Sequence, residues 1–341
     1  MRAIQVQPDL TVHGSDVDTP RPGRQEVLVR VQAAGVCGTD LHIVDGMIKP
    51  DAYPMTLGHE MAGVVAEAGP GVALAPGTRV AVFNKLFCGA CEQCLLGRVN
   101  LCTVEPGQLG FNRDGGDAEY VLAPERNLAV LPDVVDFATA AVLSCAGMTA
   151  VHATRMSGLE SGQTAVVNGI GGVGILVVQV AERAGASVVA VADSADKADL
   201  ATKHGAADVI VLGPGDDYAT LPGTVRSRTG GRGAHVFFDL VGTTGTMTAG
   251  IRSLGPRGRF VSTGYTGQSL SIHPIEFILS EASLVSTVAA ARTDLNDAIA
   301  MAAKGDLVVP LAGSYPLDAI ADALSALRSR SVLGRQVLIP G

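Results

Sequence analysis

Residues 164–193 read TAVVNGIGGVGILVVQVAERAGASVVAVAD. A β-branched apolar run, Ala165 to Val167, enters a turn built of glycines. Val173 to Arg183 then carries a pattern fit for a helix, and a second apolar run, Ser187 to Ala192, ends at Asp193. This is the pattern of a βαβ unit. Gly169, Gly171 and Gly174 form G-x-G-x-x-G. The first glycine permits the tight turn, the second lets the backbone approach a pyrophosphate, and the third lets the helix pack closely on the strand. Gly172 and Val173 lie within the same turn and are counted with the cofactor-binding residues. The phosphates would meet the helix N-terminus, where free N–H groups and the helix dipole favour anions. A chain with 42 glycines produces such triplets by chance, so the order strand, turn, helix, strand, acid carries the reading.

Asp193 follows Gly174 by nineteen residues, at the end of the second strand. A carboxylate there accepts hydrogen bonds from adenosine ribose hydroxyls and repels a 2′-phosphate. The neighbouring ADSADK has no Arg to receive that phosphate, so the expected cofactor is NAD rather than NADP. Asp193 is also placed to cap a helix beginning near Asp196.

Working outward, AHVFFDLVG, RGRFVSTGY and SLVSTVAAA read as further strands of a parallel sheet. DLNDAIAMAAKG and LDAIADALSALRSRSVLG read as amphipathic helices ending at glycine. The first 145 residues differ. Short apolar runs alternate with Gly/Pro turns, as in PRPGRQEVLVRVQAAG and EAGPGVALAPGTRVAV, the texture of an antiparallel β domain. Apolar residues are 47% and charged residues 17% of 341, which excludes a disordered chain and allows two domains. The net charge of −8, with no Lys/Arg run, argues against nucleic-acid and membrane partners. The N-terminal MRAIQVQPDLTVHG lacks a signal-peptide core, and the apolar stretches are interrupted short of a membrane span. The expected compartment is the cytoplasm.

Residues 88–102 read CGACEQCLLGRVNLC. Two successive C-x-x-C steps bring Cys88, Cys91 and Cys94 to one point, and the following loop returns Cys102. In a reducing compartment such a cluster points to a metal rather than to disulfides. Tetrahedral zinc in a closed structural site suits it, and an iron–sulfur cluster takes the same four thiolates. The other two cysteines, Cys37 and Cys145, lie far apart, with His59 between them. Two thiolates and an imidazole leave a fourth position open, the pattern of a catalytic zinc. Taken singly, each reads equally well as a buried core residue.

The motifs GVCGTDLH (35–42), GHE (58–60), the four-cysteine lobe and CAGMTAVH (145–152) stand in one order and spacing. In this the chain resembles the medium-chain, zinc-dependent alcohol dehydrogenases from about residue 1 to its C-terminus. The resemblance implies a GroES-like antiparallel β-barrel catalytic domain at 1–145, a Rossmann NAD-binding domain with a doubly wound parallel sheet at 146–282, and a return segment at 283–341 that completes the first. It implies an active site in the cleft between the domains.

It also implies two zinc ions per chain: a catalytic one on Cys37, His59 and Cys145, with Glu60 as the carboxylate behind them, and a structural one on Cys88, Cys91, Cys94 and Cys102. Cys145 points to the alcohol-dehydrogenase branch, because the sorbitol and threonine dehydrogenases usually carry another residue there. A polyol or sugar-alcohol dehydrogenase is the alternative. Thr39 matches the family hydroxyl that bonds the substrate oxygen, and His42 the terminal base of a proton relay. A helix cap and a surface side chain are the plain readings of these two. Lys197 matches a lysine near the adenosine and Arg335 an arginine near the pyrophosphate, although both also read as surface cations. Val44, Ile48 and Phe83 stand at positions that line the substrate pocket. The family's small-alcohol enzymes place tryptophans there, and this chain has none, so the expected substrates are larger secondary, cyclic or aryl alcohols and their ketones. A homodimer or homotetramer is expected.

Two rivals remain at this stage. A nucleic-acid-binding zinc ribbon fits the lobe but not the charge or the glycine motif. A zinc-free quinone or enoyl reductase on the same fold has no use for Cys37, His59 and Cys145 together.

Overall fold

The structure, a computed structural model, describes residues 1–105, 107–213 and 215–341. The chain divides into two units, Met1–Met148 with Ala289–Gly341, and Thr149–Val288.

In the second unit, the strand Thr164–Asn168 is buried over its last four residues and lies at the middle of a six-stranded parallel sheet. The order across the sheet is Asp208–Val211, Ser187–Ala192, Thr164–Asn168, Ala234–Asp239, Leu254–Ser262, Ser283–Ser286. That is chain order 3-2-1-4-5-6, a Rossmann doubly wound sheet. Val166 sits opposite Val189 on one side and Phe237 on the other, and these side chains belong to one core with Phe260 and Ile251. The helix Gly174–Arg183 buries every residue from Gly174 to Ala181, as a helix covering a parallel sheet must. A Cβ on Gly174 would lie 2.0 Å from the Gly169 carbonyl oxygen, so the close approach of helix to turn admits only glycine.

The first unit is built on a seven-stranded sheet and a three-stranded one. The long strand Glu26–Val36 organises the larger sheet. One edge pairs antiparallel with Met61–Ala68, while the other pairs with Tyr120–Pro124 and Arg335–Ile339. The last two strands, Leu311–Pro316 and Arg335–Ile339, pair parallel, so this sheet is mainly rather than wholly antiparallel. Val29, Val31, Met61, Val80 and Leu338 share the core beneath it.

The borders expected near 146 and 283, to within several residues, shift by a few positions, and one helix end needs correction. No break falls at 146: the helical chain runs from Phe137–Val142 through a π-turn at Leu143–Gly147 into Met148–Ser157, and the division comes after Met148. Nor does the return segment start at 283, because Ser283–Ser286 pairs with Leu254–Ser262 as the last strand of the parallel sheet. The helix Ile320–Arg328 stops before Arg330, which takes the left-handed conformation (φ +58°), well short of Gly334. Among the described residues, 137–157 form a helix long and apolar enough to cross a membrane, which the sequence reading did not anticipate. Its apolar window is 72% buried, as a core helix is.

Gly174→Val should cost about 1–3 kcal/mol of stability in urea unfolding, because its first carbon already meets a carbonyl. A loss under ~0.5 kcal/mol would mean that helix and turn separate more easily than the packing implies.

Candidate functional site

Cys88, Cys91, Cys94 and Cys102 converge as free thiols whose sulfurs all lie within 4.8 Å of one another. The Cys91–Cys94, Cys88–Cys94 and Cys91–Cys102 separations are 3.5, 3.9 and 3.9 Å. Four sulfurs held tetrahedrally at zinc–sulfur distance stand ~3.8 Å apart. Backbone amides aim inward as well: Cys91 N–H and Ala90 N–H donate to Cys88 Sγ at 3.3 and 3.4 Å, and Glu105 N–H donates to Cys102 Sγ at 3.4 Å. Such donors favour thiolate, the metal-binding form. Backbone N–H bonds draw Cys91 down to about 6, while burial pushes Cys94 up to about 12. Four sulfurs at this spacing form a donor set that would suit a tetrahedral cation.

The second constellation joins three distant pieces of the first unit. Cys37 leaves the long strand Glu26–Val36 and caps the short helix Gly38–Val44. His59 and Glu60 precede the neighbouring strand Met61–Ala68. Cys145 lies in the π-turn at Leu143–Gly147, a deformation frequent at functional sites. Ser144 fixes that turn: its Oγ donates to the Ala141 carbonyl at 2.7 Å and accepts from Met61 N–H at 3.1 Å. One ligating atom from each of Cys37, His59, Glu60 and Cys145 falls within 4.8 Å of the others.

Asp40, which the sequence reading passed over, orients the imidazole. It is 1% exposed; its Oδ1 lies 3.0 Å from His59 Nδ1, and its Oδ2 accepts from Cys37 N–H at 2.8 Å. A carboxylate only accepts, so Nδ1 donates and Nε2 faces the thiols. That Nε2 is buried with no hydrogen-bond partner. Asn84 Nδ2 donates to the His59 carbonyl at 2.8 Å, and the Phe111 ring meets the imidazole edge-on, 5.0 Å between centroids. Nothing local in the sequence signals Asn84, Phe111 or Ser144. Asp40, three residues past Cys37, was legible in principle.

The protonation of this cluster is displaced throughout. A hydrogen bond from the Cys145 thiol holds Cys37 well below the usual thiol range, and the same bond, together with burial, pushes Cys145 well above it. Burial opposes charging of His59, but the charge of Asp40 and the bond to it prevail and raise His59. Burial raises Glu60 to about 7, against the pull of Arg335. Two thiols beside an imidazole whose inner nitrogen has no hydrogen-bond partner make a sulfur and nitrogen donor set that would suit a cation in place of the protons.

Arg335 corrects one reading made for it, that of a surface cation. It is 4% exposed, so it is no surface cation, and its guanidinium bonds Glu60 inside the first unit. The pairing of Gln336 with Val36 carries it there across the whole chain. Gly35 makes room, since a Cβ on it would lie 2.1 Å from Glu60 Oε2.

Thr39 is half-buried, with Oγ1 3.8 Å from Cys37 Sγ, and Cys37 rather than Thr39 is the cap. His42 is half-buried in the last turn of the same helix. Val44 and Ile48 are partly exposed and pack against the core. Phe83 is 0% exposed and packs on Phe87, so it lines no open space. In the second unit, Gly169 takes φ +96° and a Cβ on Gly171 would meet nothing, which leaves the turn open above its middle glycine. Val173 precedes the helix as its cap. Ser194, not Asp193, caps the helix Ala195–Lys203. Asp193 instead pairs with Lys197 Nζ at 2.8 Å.

Comparison with known proteins places the chain among relatives. The profile of the alcohol dehydrogenase GroES-like domain matches residues 23–133, and that of the zinc-binding dehydrogenases matches 172–304. The alcohol dehydrogenase of Geobacillus stearothermophilus is 33% identical over 327 residues, 95% of this chain and 94% of its own. The NAD-dependent alcohol dehydrogenase of Sulfurisphaera tokodaii is 30% identical over 350 residues, 100% of this chain and 99% of its own. The crystal structure of the Aeropyrum pernix alcohol dehydrogenase matches with a TM-score of 0.92 at 33% identity, covering 100% of each chain. The chain belongs to the zinc-dependent medium-chain alcohol dehydrogenase family.

Arg335→Met should cost about 3–5 kcal/mol in denaturant unfolding, because it strands the Glu60 carboxylate without its partner. Adding Glu60→Gln should return much of that loss. A single variant as stable as the parent would show that the pair is not what keeps Glu60 buried.

Proposed function

We propose that the protein is an NAD-dependent, zinc-containing alcohol dehydrogenase acting on larger secondary, cyclic or aryl alcohols and the matching ketones. The convergence of Cys37, His59 and Cys145 within 4.8 Å of one another carries this reading. These three would hold a catalytic zinc with one position open, and Cys88, Cys91, Cys94 and Cys102 a closed structural zinc, two ions per chain. When bound, zinc supplies Lewis-acid polarisation of the alcohol oxygen and NAD the hydride acceptor.

The chain's own groups do the rest. Thr39, next to the Cys37 sulfur, bonds the substrate oxygen through its hydroxyl and passes on the proton. His42, three residues along the same helix, receives it, as an imidazole does well near neutral pH. Glu60, restrained by Arg335, adds negative charge beside the cation site. Gly169, Gly171, Gly172, Val173 and Gly174 offer backbone to the pyrophosphate, and Asp193 with Lys197 faces the adenosine ribose. Arg335 serves Glu60 first, and any contact with the pyrophosphate is secondary to that. The protein works on a small molecule, in the cytoplasm, as a homodimer or homotetramer.

Substrate size rests on Val44 and Ile48, since Phe83 is enclosed. Aliphatic side chains there leave a wider apolar space than tryptophan would. Each methylene buried against them contributes about 0.8 kcal/mol, which reaches the specificity constant if the contact persists in the transition state.

Initial rates with NAD over ethanol, 2-butanol, cyclohexanol, benzyl alcohol and sorbitol test this reading. Cyclohexanol should exceed ethanol in kcat/KM by roughly tenfold or more. Val44→Trp and Ile48→Trp should narrow that ratio. A parent enzyme that prefers ethanol or sorbitol, or an unchanged ratio in both variants, contradicts the assignment.

The cofactor is a separate matter. The parent should favour NAD, and Asp193→Gly with Ala195→Arg should move preference towards NADP, exchanging a repulsive carboxylate for a phosphate partner. A parent with higher kcat/KM for NADP would remove the role given to Asp193.

A further inference from the structure

The doubly wound sheet changes direction between Thr164–Asn168 and Ala234–Asp239. Loops leaving two strands at such a point diverge and open the crevice in which nucleotides bind. Something must fix how far they diverge. Asn168 and Asp239 stand at the ends of these two strands, 0% and 1% exposed, and Asn168 Nδ2 donates to Asp239 Oδ1 at 2.9 Å.

Asp239 also holds its own loop. Val241 N–H donates to Oδ1 at 3.1 Å; Gly242 N–H and Thr246 Oγ1 donate to Oδ2 at 3.3 and 3.0 Å. Thr246 in turn exchanges bonds with Thr243 at the start of the helix Thr244–Arg252. The Asp239 carbonyl accepts from Thr263 and Gly264 N–H at 3.1 and 2.9 Å, which ties in the loop after the next strand. Burial pushes this carboxyl above its ordinary range, and the four donors hold the anion against that push.

The consequence reaches the glycine turn. A Cβ on Gly169 would lie 2.8 Å from Val241 Cγ2, so Val241 leans directly on the first glycine. The place of Val241 is set by its own N–H on Asp239. We propose that Asp239 is a positioning residue for the dinucleotide: its carboxylate fixes the 240–243 loop against the glycine turn at 169–174 and so sets affinity for the cofactor. This rests on the dinucleotide reading of that turn.

Two roles must be told apart, tying the strands together and placing the loop. Asp239→Asn keeps the volume, but however the amide turns, its NH2 faces a donor. The exchange Asn168→Asp with Asp239→Asn reverses the bond between strands and so keeps that tie. It leaves an amide where Val241, Gly242 and Thr246 need an acceptor on both sides. NADH affinity is read by fluorescence titration on folded protein, with thermal unfolding alongside.

Asp239→Asn should weaken NADH binding about tenfold and lower Tm. The exchange should recover most of the Tm while binding stays weak, and it also serves if the single variant does not fold. Binding of NADH by Asp239→Asn at parental strength overturns the proposal. So does an exchange variant that recovers affinity together with Tm, which would mark Asp239 as a strand tie alone. A parent protein that binds neither NADH nor NADPH overturns the dinucleotide reading itself, and the positioning role with it.

Discussion

Two thiols, an imidazole and a carboxylate sit together at Cys37, Cys145, His59 and Glu60, all buried but Cys145, which is half-buried. Such a group persists only if its charge is matched. Most of the first unit can be understood as the means of matching it. Asp40 accepts from His59 and steadies the Cys37 amide. Arg335 answers Glu60. Ser144 anchors the π-turn that offers Cys145. Each partner sits on a different element, so the site cannot form until the sheet, the helix after Cys37, the 137–157 helix and the C-terminal strand have all met.

That requirement explains the chain path. The C-terminal segment leaves the parallel sheet and comes back, because the partner for Glu60 lies on Arg335–Ile339 and that strand pairs with Glu26–Val36. Burying Arg335 alone would be as unfavourable as burying Glu60 alone. The four-cysteine lobe solves a similar problem by different means. It draws all its sulfurs from one loop, and backbone N–H groups donate to Cys88 and Cys102 where the other site uses charged side chains.

Local order made much of this legible before the fold was known. The βαβ unit at 164–193 and the convergence of the four cysteines follow rules that act within a few residues, and both are present. Family resemblance supplied what spacing could not, namely that Cys37, His59 and Cys145 belong together. What failed was non-local. The environment of Arg335 is set by strand pairing with residues 300 positions away. The domain borders shifted by a few residues because a helix continued through Cys145 and because Ser283–Ser286, read as a strand of the parallel sheet, stays with that sheet. Asn84 and Phe111 act on His59 only through the folded chain, and no pattern around them announces it.

The most direct test is anomalous diffraction from crystals of the purified protein, recorded on both sides of the zinc absorption edge. Two zinc peaks per chain should appear, one surrounded by Cys88, Cys91, Cys94 and Cys102, the other by Cys37, His59 and Cys145 with a position left for an oxygen ligand. A crystal of active enzyme with no zinc at Cys37, His59 and Cys145 would contradict the reading of that cluster as the centre of the chemistry.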